Sequence, residues 1–422
     1  MDKFCEKLLS TYNASILKET DILTQALFYH YSSTNALGNK GNTVLMDLIR
    51  NYYNNKKVER PIITRIGGPI SLSLQWSDNY NMCVYIFGEK HKTKTDCYKG
   101  DAIATGGNKM VVKETQSVNV ENFLYDLFQY TPAFIDFYLE TPGYTGQDYK
   151  GGKHIWMNKP LRLSQLSTAF YQCLSAIKRK DNPLCKLVRV HYLDIRKDTE
   201  MVDVNDVSYV RSVWHKINSL SDIEIQNRLK NDKRVAATVK KLTTKDIEEY
   251  KTFWKDQLLQ STILKKEFSR TILPKNIVLD FLEKEIIYSA MQLREVFQDT
   301  LETFNNNNMD VKNVMSGIKK TVSINSVVVD MYTITRMFKK FKNVKNQPER
   351  PRNIILYTGD SHSTRIRKFL KQLDFKVINE TDGIPYDYHN NNKYYKNSPA
   401  YTNCIDITNF KQPFFSEYPP KK

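Results

Sequence analysis

Two short segments of this chain share one pattern, an apolar, strand-like run that ends in Gly, an acid, any residue and His. They are Val84–His91 (VYIFGEKH) and Ile354–His362 (IILYTGDSH). A strand that ends this way delivers a titratable pair to the rim of a sheet, where open α/β folds bind their ligands. The chain has only seven histidines, so two in matching contexts indicate a common role. We call the segments the first and second cassette.

The order of elements around the cassettes predicts the fold class. The first cassette strand is followed by a helical stretch (122–129) and an apolar strand (133–139) that ends in Glu140. This order is typical of a βαβ unit, which implies a parallel strand pair with a right-handed crossover. A third strand, 187–196, also carries charged residues to its end. We therefore predict an α/β fold with a mainly parallel sheet, together with an N-terminal helical region and a helical insertion.

Changes in pattern divide the chain into five regions. Helix-compatible apolar spacings cover the N-terminal region, a charged stretch without convincing strands interrupts the α/β core, and the C-terminal tail is predicted to be loose. The predicted regions are 1–60 (helical), 61–204 (first half of the core), 205–324 (helical insertion or lid), 325–385 (second half of the core) and 386–422 (tail).

Composition limits the class of protein. A hydrophobic fraction of 41% with 12% aromatic residues is typical of a folded globular chain, and no apolar run is long enough to predict a membrane span. The N-terminus lacks the continuous apolar stretch of a signal peptide. The six cysteines include no CxxC pair, which argues against a zinc ribbon or a disulfide framework and favours a reducing, cytoplasmic compartment.

The formal net charge of +17 leaves two interpretations open. Surplus Lys and Arg are used to neutralise phosphates, so nucleic acid is a candidate partner. The charge is spread along the chain without a dense block, and the abundance of Lys, Asn, Ile and Tyr is what an A+T-rich coding sequence would impose. The second interpretation, a solvated basic surface, is favoured.

Four strand ends offer polar groups to one rim of the predicted sheet. A mixed His and carboxylate cluster can bind a divalent metal that activates water, or can act without metal as base, acid and orienting partner in hydrolysis. No motif in the sequence decides between the two. The candidate residues are Glu89 and His91, Glu140, Asp194 and Arg196, and Asp360 and His362.

Each candidate also has a purely structural interpretation. A His at a strand end often only satisfies backbone groups, and Glu140 before Thr-Pro-Gly can cap a turn. Asp194 and Arg196 lie two apart on a strand and can form a structural ion pair, while His191 is predicted to be a packing residue. It is the joint occurrence of the candidates that favours a site.

The same residues resemble a known family, the Tiki/TraB superfamily, which includes erythromycin-esterase-like and ChaN-like proteins. The resemblance rests on Gly88-Glu89-Lys90-His91, on Glu140, on Arg336 in a helix before the last strand, and on Gly359-Asp360-Ser361-His362. It covers about residues 80–195 and 325–380, and Leu373-Asp374-Phe375 departs slightly from the family's usual Gly before an aromatic. The pattern also resembles uncharacterised proteins of large DNA viruses, which would place the chain in an infected host cell or a virion.

The resemblance implies a role for each matching residue. His91 and His362 would be ligands of a divalent metal or proton shuttles, and Glu89 a general base or second ligand. Glu140 would orient the attacking water and Arg336 would stabilise the developing oxyanion. Asp360 would orient His362, with Asp194 and Arg196 as supporting residues.

Three functional hypotheses follow. The first is a hydrolase that cleaves an amide or ester bond of a peptide or ester substrate by water attack, with the insertion as a lid. The second is a non-catalytic basic scaffold or virion-associated protein that binds nucleic acid. The third is a protein whose cassettes bind haem or a regulatory ligand without turnover.

Overall fold

The computed structural model describes the α/β core and parts of the segments around it. The described residues are 63–90, 117–131, 133–142, 149–150, 153–154, 187–195, 261–285, 287–288, 326–344, 347–381 and 404–416, with the single residues 166, 170, 173, 224, 227, 231, 234 and 420. The predicted helical region 1–60 lies outside them.

Strands outnumber helices among the elements whose bounds are described. The strands are β1 (Arg65–Gly67), β2 (Ser71–Ser77), β3 (Met82–Glu89), β4 (Ser117–Asn119), β5 (Ile135–Pro142), β6 (Tyr149–Lys150), β7 (Lys153–His154), β8 (Val188–Asp194), β9 (Asn353–Gly359), β10 (Lys376–Glu380) and β11 (Cys404–Asp406). The helices are α1 (Val120–Tyr130), α2 (Thr262–Phe268), α3 (275–285), α4 (326–337) and α5 (Asp360–Gln372).

The main sheet has six strands in the order β10-β2-β3-β9-β5-β8. The pairs β3–β9, β9–β5 and β5–β8 are parallel, whereas β2 is antiparallel to both of its neighbours. All residues of β3 and β9 are buried, as expected for parallel strands that are covered on both faces. The predicted α/β fold with a mainly parallel sheet is confirmed.

The strand order differs in one respect from the predicted βαβ unit. β3 and β5 run in the same direction but do not pair, because β9 lies between them. The predicted adjacent pair is therefore wrong. Sequence order suggested the pairing, but a strand more than 200 residues further along the chain takes the central place. This insertion puts the two cassettes on neighbouring strands.

A second, three-stranded sheet has the order β11-β1-β4. Its strand β11 comes from the C-terminal tail, and the residues that follow pack onto the main sheet. Phe414 is fully buried and stacks on Tyr85 of β3, with ring centroids 3.9 Å apart. The tail was predicted to be loose, and this is wrong for residues 404–416. Its aromatic residues are spread among polar ones, so the sequence did not reveal that they form a core face.

Helices and loops cover both faces of the main sheet. One face carries α2, α3, α4 and α5, whose apolar side chains pack against Ile86 of β3, Tyr138 of β5 and Leu356 of β9. The opposite face carries α1 and the C-terminal segment, which pack against Phe87 and Tyr357. We call these the α4 face and the α1 face. The alternation of side chains along each strand assigns every site residue to one of them.

Residues 261–285 of the predicted insertion contribute to the core of the α4 face, whereas residues 224, 227, 231 and 234 are exposed. Leu264 of α2 and Phe281 of α3 are buried there, and Phe281 packs edge-to-face on Phe369 of α5 at 5.0 Å. The sequence predicted helices at 223–239, 244–260 and 277–304, with Pro274 as a boundary. α3 does begin directly after Pro274, but α2 was not predicted. Among the described helices, none is long and apolar enough to cross a membrane.

The cysteines differ from the prediction. Cys173 and Cys404 are each disulfide-bonded, while Cys83 is a free thiol buried in β3. The expectation of unpaired cysteines is therefore wrong for these two residues. Sequence spacing is a poor guide here because a disulfide requires Cα atoms about 4.4–6.8 Å apart in space, whatever their separation along the chain. The predicted cytoplasmic compartment stays a prediction.

Candidate active site at the carboxyl edge of the sheet

The two cassettes meet at Gly359, where β9 ends and α5 begins. Gly359 pairs with Glu89, the last residue of β3. The backbone N–H of Gly359 donates a hydrogen bond of 2.7 Å to Oε2 of Glu140, which comes from β5 on the other side of β9. Three neighbouring strands thus bring their carboxyl ends together, as the sequence predicted for Glu89, Glu140 and the second cassette.

His362 lies in the first turn of α5 and contacts Glu140. Its Nε2 is 3.2 Å from Oε1 of Glu140, and both side chains are almost completely buried. Glu140 therefore uses one oxygen for the helix N-terminus and the other for the imidazole. Because the N-terminal end of a helix carries a partial positive charge, both contacts favour the ionised carboxylate.

The other ring nitrogen of His362 contacts a residue that the sequence analysis did not identify. Nδ1 is 2.6 Å from Oδ1 of Asp330 in α4. The second oxygen of Asp330 accepts a hydrogen bond of 2.6 Å from Nη1 of Arg365, and the guanidinium of Arg365 donates to the hydroxyl of Ser326. His362 is therefore held between two carboxylates, one from β5 and one from α4.

This environment determines the charge of His362. Burial by itself would lower the pKa of the imidazole, because it penalises the charged form. The negative charges of Glu140 and Asp330 outweigh this penalty and raise the pKa of His362 to about 9. At neutral pH the ring is an imidazolium, which can give a proton but cannot take one. The side chain thus suits a general acid.

Asp360 was predicted to orient His362, and the structure assigns that contact to Asp330 instead. Asp360 accepts a hydrogen bond of 2.7 Å from the hydroxyl of Ser71, and its Oδ1 is 3.7 Å from Nη1 of the fully buried Arg367. As the first residue of α5, Asp360 lies along the sheet, towards β2, rather than beside the imidazole. Its carboxylate also complements the positive N-terminal end of α5.

The close approach of Asp360 explains why the first cassette has a glycine at position 88. A Cβ atom on Gly88 would lie 2.2 Å from Oδ1 of Asp360 and 2.4 Å from Oγ of Ser71. Any side chain at this position would displace the carboxylate and with it the start of α5. Gly88 thus allows the first cassette to pack against the second.

Glu89 ends β3 on the α1 face of the sheet, opposite to Glu140 and His362. Its Oε2 accepts a hydrogen bond of 3.0 Å from the hydroxyl of Tyr357. The carboxylate is buried, with 3% of the residue exposed. Glu89 and Glu140 therefore flank the end of β9 from its two sides.

Arg336, the predicted oxyanion ligand, belongs to a different cluster. Its Nε donates to Nδ1 of His191 at 3.1 Å, and its Nη1 donates to Oε1 of Glu267 at 3.1 Å. Arg336 lies almost two turns beyond Asp330 on α4, which runs back along the sheet from its carboxyl edge. These two contacts direct its guanidinium away from the Glu140–His362 pair.

The cluster around Arg336 has a second buried histidine. Because Arg336 always donates, His191 accepts at Nδ1 and its Nε2–H donates to Oδ1 of Asp136 at 2.8 Å. Burial, reinforced by the neighbouring Arg336, outweighs the hydrogen bond that His191 donates to Asp136 and lowers the pKa of His191 to about 3. The ring stacks on Tyr138 at 4.3 Å, so the predicted packing role is confirmed together with a hydrogen-bonding role.

Two of the predicted residues, His91 and Arg196, lie outside the described residues. The predicted contacts of His91 and the predicted ion pair between Asp194 and Arg196 therefore stay predictions. Asp194 is half-buried at the end of β8.

The donor set at His362 does not by itself fit a divalent metal. Both ring nitrogens lie within hydrogen-bond distance of carboxylates, and the described residues contain no group of three His, Cys, Asp or Glu side chains with ligand geometry. A metal ligand must offer an unprotonated nitrogen, whereas the imidazole is charged at neutral pH. The predicted set of Glu89, His91 and His362 therefore stays a prediction.

Sequence reasoning missed Asp330, although one signal was present. Asp330 interrupts a run of apolar residues on α4 and is 1% exposed. A carboxylate in such a position must be paired, because burying an isolated charge costs several kcal/mol or more. The missing information was which partner it meets, and that partner comes from α5.

Comparison with known proteins adds nothing to this geometry, since the chain matches no protein-family model, no curated protein and no solved structure.

Proposed function

We propose that this chain is a hydrolase of the Tiki/TraB type, which cleaves an amide or ester bond by water attack at the carboxyl edge of the sheet. One observation carries the proposal. His362 is a buried imidazolium that contacts Glu140. On the neighbouring strand, Glu89 at the end of β3 pairs with Gly359 of β9, and Gly359 lies three residues before His362. The edge thus combines a proton donor with two carboxylates.

The proposed chemistry assigns the acid role to His362. Its Nδ1 is held by the short contact to Asp330, whereas Nε2 has the longer contact of 3.2 Å to Glu140. A substrate can therefore compete for Nε2 more readily. As the acyl bond breaks, Nε2 gives its proton to the leaving nitrogen or oxygen atom, and the product amine or alcohol departs neutral.

The carboxylates supply the complementary step. The attacking water lies beyond the end of β9, where the α1 and α4 faces meet at the edge of the sheet. Glu89 reaches it from the α1 face and accepts its proton as the water oxygen bonds to the acyl carbon. Glu140 orients the same water from the α4 face and balances the charge of His362 before its proton leaves. Glu89 then releases its proton to solvent, and His362 takes up a proton from solvent. The turnover thus consumes one water molecule and no other reagent. Arg336 takes no part in this scheme, because its contacts lie in the other cluster.

The proposal is tested with the purified full-length chain and a panel of fluorogenic esters and peptides. We expect His362→Gln and Glu140→Gln each to lower kcat/KM by about 100-fold or more, the usual range for a lost acid or base. Glu89→Gln and His91→Ala test the remaining predicted residues in the same assay. Asp78→Asn is the matched control, since Asp78 lies at the surface, where it accepts hydrogen bonds from Trp76 and Lys376, and its loss should leave the rate unchanged.

Wild-type turnover in both His362→Gln and Glu140→Gln would overturn the assignment. If the unaltered chain hydrolysed none of the substrates but bound DNA with an affinity that falls steeply with salt, the basic scaffold would replace the hydrolase. Metal analysis of the purified chain, and assays with and without a chelator, decide whether the predicted divalent metal is needed.

A further inference from the structure

Asp330 connects α4 and α5, two of the helices that cover the α4 face. It is 1% exposed and bridges two cations of α5, with one oxygen on His362 and the other on Arg365, each at 2.6 Å. His362 and Arg365 are three residues apart and so project from the same side of α5. The carboxylate therefore meets a matched pair of donors.

Arg365 and Ser326 fix the position of the Asp330 side chain. Both terminal nitrogens of Arg365 donate to the hydroxyl of Ser326, at 2.7 and 2.6 Å. Ser326 lies one turn before Asp330 on the same helix, so Arg365 is clamped between two residues of α4. Rotation of the Asp330 side chain would break a contact to at least one buried cation, which makes any other rotamer costly.

The contact at Nδ1 determines where the opposite side of the imidazole lies. With Nδ1 held by Asp330, the plane of the ring and the direction of Nε2 are set, and Nε2 is directed to Glu140 at the end of β5. Without Asp330 the ring could rotate about its Cβ–Cγ bond, and Nε2 would no longer be held towards the edge of the sheet. Geometry of this kind is what a positioned proton donor requires.

We propose that Asp330, held in place by Arg365 and Ser326, is a positioning residue that fixes the orientation of His362 so that Nε2 faces the reacting edge. This inference rests on the proposed function, because it supplies the partner that the proposed acid needs. It assigns Asp330 no contact with substrate. It also implies that α4 and α5 act together as the frame of the site.

The first experiment measures the contact directly and does not depend on activity. In the full-length chain labelled with ¹⁵N-histidine, a long-range ¹H–¹⁵N spectrum at pH 7 should show a strongly deshielded Nδ1 proton, assigned to His362 by its loss in His362→Gln. We expect Asp330→Asn to abolish the deshielding and Asp330→Glu to restore part of it. Asp78→Asn, the surface control, should leave the signal unchanged.

The second experiment separates positioning from binding. On whichever substrate the chain hydrolyses, Asp330→Asn should lower kcat by about 100-fold while KM changes by less than about threefold, because the loss concerns proton transfer rather than substrate contact. Asp330→Glu should recover part of kcat. A purely structural role would instead lower the amount of active protein and leave kcat per active site unchanged.

The outcomes keep this inference distinct from the proposed function. If the unaltered chain lacks the deshielded proton, or if it persists in Asp330→Asn, the positioning role is overturned, even in an active hydrolase. This first test needs no variant of Asp330 and holds if Asp330→Asn fails to fold. If the signal behaves as expected but loss of His362 leaves hydrolysis unchanged, the proposed acid role is overturned and the contact survives as structure.

Discussion

Two histidines lie on the same face of the same sheet, both almost fully buried, yet their environments hold them in opposite charge states. His362 at the carboxyl edge has two carboxylates as neighbours, and its pKa is raised to about 9. His191, deeper along the α4 face, has one carboxylate and two arginines, and its pKa is lowered to about 3. Burial lowers the pKa of both, so the difference comes from the charges that surround each ring.

The comparison shows why only one of them suits a reaction. His191 is neutral, stacked on Tyr138, and has both nitrogens in fixed hydrogen bonds to Asp136 and Arg336, so it serves as a connection between strands and helix. His362 holds a proton at neutral pH next to a carboxylate at the edge where α/β folds carry their sites. This contrast predicts four results, given in order of decreasing size.

The largest expected effect is on the acid limb of the stability profile, that is, the fall in the free energy of unfolding as the pH decreases. We assign this limb to His191. Its folded pKa lies below the unfolded value, so its contribution is full above about pH 6.5 and is lost as pH falls towards 3. The free energy of unfolding should drop by up to about 5 kcal/mol over that range. Urea denaturation at a series of pH values measures it. His191→Gln, which keeps a donor and an acceptor, should flatten this limb, and an unchanged slope would refute the assignment.

The alkaline limb belongs to His362 and has the opposite sign. Its folded pKa lies above the unfolded value, so its contribution is full below about pH 6.5 and is lost as pH rises through 9. We expect a loss of up to about 3 kcal/mol. In the same denaturation series, His362→Gln should flatten only the alkaline limb and His191→Gln only the acid limb. Each variant thus serves as the control for the other.

The third prediction changes the charge beside His191. Arg336→Gln removes a cation that donates to Nδ1, so the pKa of His191 should rise by about one to two units. Titration of the imidazole by NMR measures the shift, and the pKa of His362 should stay where it is. Arg336→Lys, which keeps the charge, should produce a smaller rise. If both variants gave the same pKa, burial alone would explain the neutral ring.

The smallest effect is expected at Ser326, at the far end of the chain of contacts to His362. Ser326→Ala removes only the hydroxyl that holds Arg365, so the free energy of unfolding should fall by about 1 kcal/mol. The deshielded Nδ1 proton of His362 should persist, since Asp330 itself is unchanged. Urea denaturation and the histidine spectrum report these two results. Loss of the signal in this variant would mean that Arg365, rather than Asp330, governs the imidazole.

Much of the core could be predicted because its signals are local. The apolar runs that end in Gly and an acid identified β3 and β9, and Glu140 marked the end of β5. The spacing of apolar residues and the composition suffice to predict such strands, because a strand that is buried on both faces of a sheet is a continuous apolar run in the sequence. The helical stretch predicted at 122–129 corresponds to α1, because its apolar spacing is also a local signal. Only the structure places the second cassette beside the first, through the pairing of β3 with β9.

Other features could not be predicted because they depend on partners distant in the sequence. Asp330 meets His362 only because α4 crosses α5, and Arg336 meets His191 only because β8 pairs with β5. The roles given to Asp360 and Arg336 assumed that nearby motif residues converge on one point. A helix advances about 1.5 Å per residue, so six residues carried Arg336 about 9 Å along α4 from Asp330.

Strand burial and motif placement are properties of short segments, so the sequence alone was enough to predict an α/β sheet with acid and histidine residues at its carboxyl edge. The insertion of β9 between β3 and β5 became visible only in three dimensions, and so did the charge states of the two histidines. Asp330 and Glu140 hold His362 as a cation, while burial, reinforced by neighbouring arginines, keeps His191 neutral. The physical reason is that the charge of a buried side chain is set by the groups around it in space, and those groups come from strands and helices far apart in the chain.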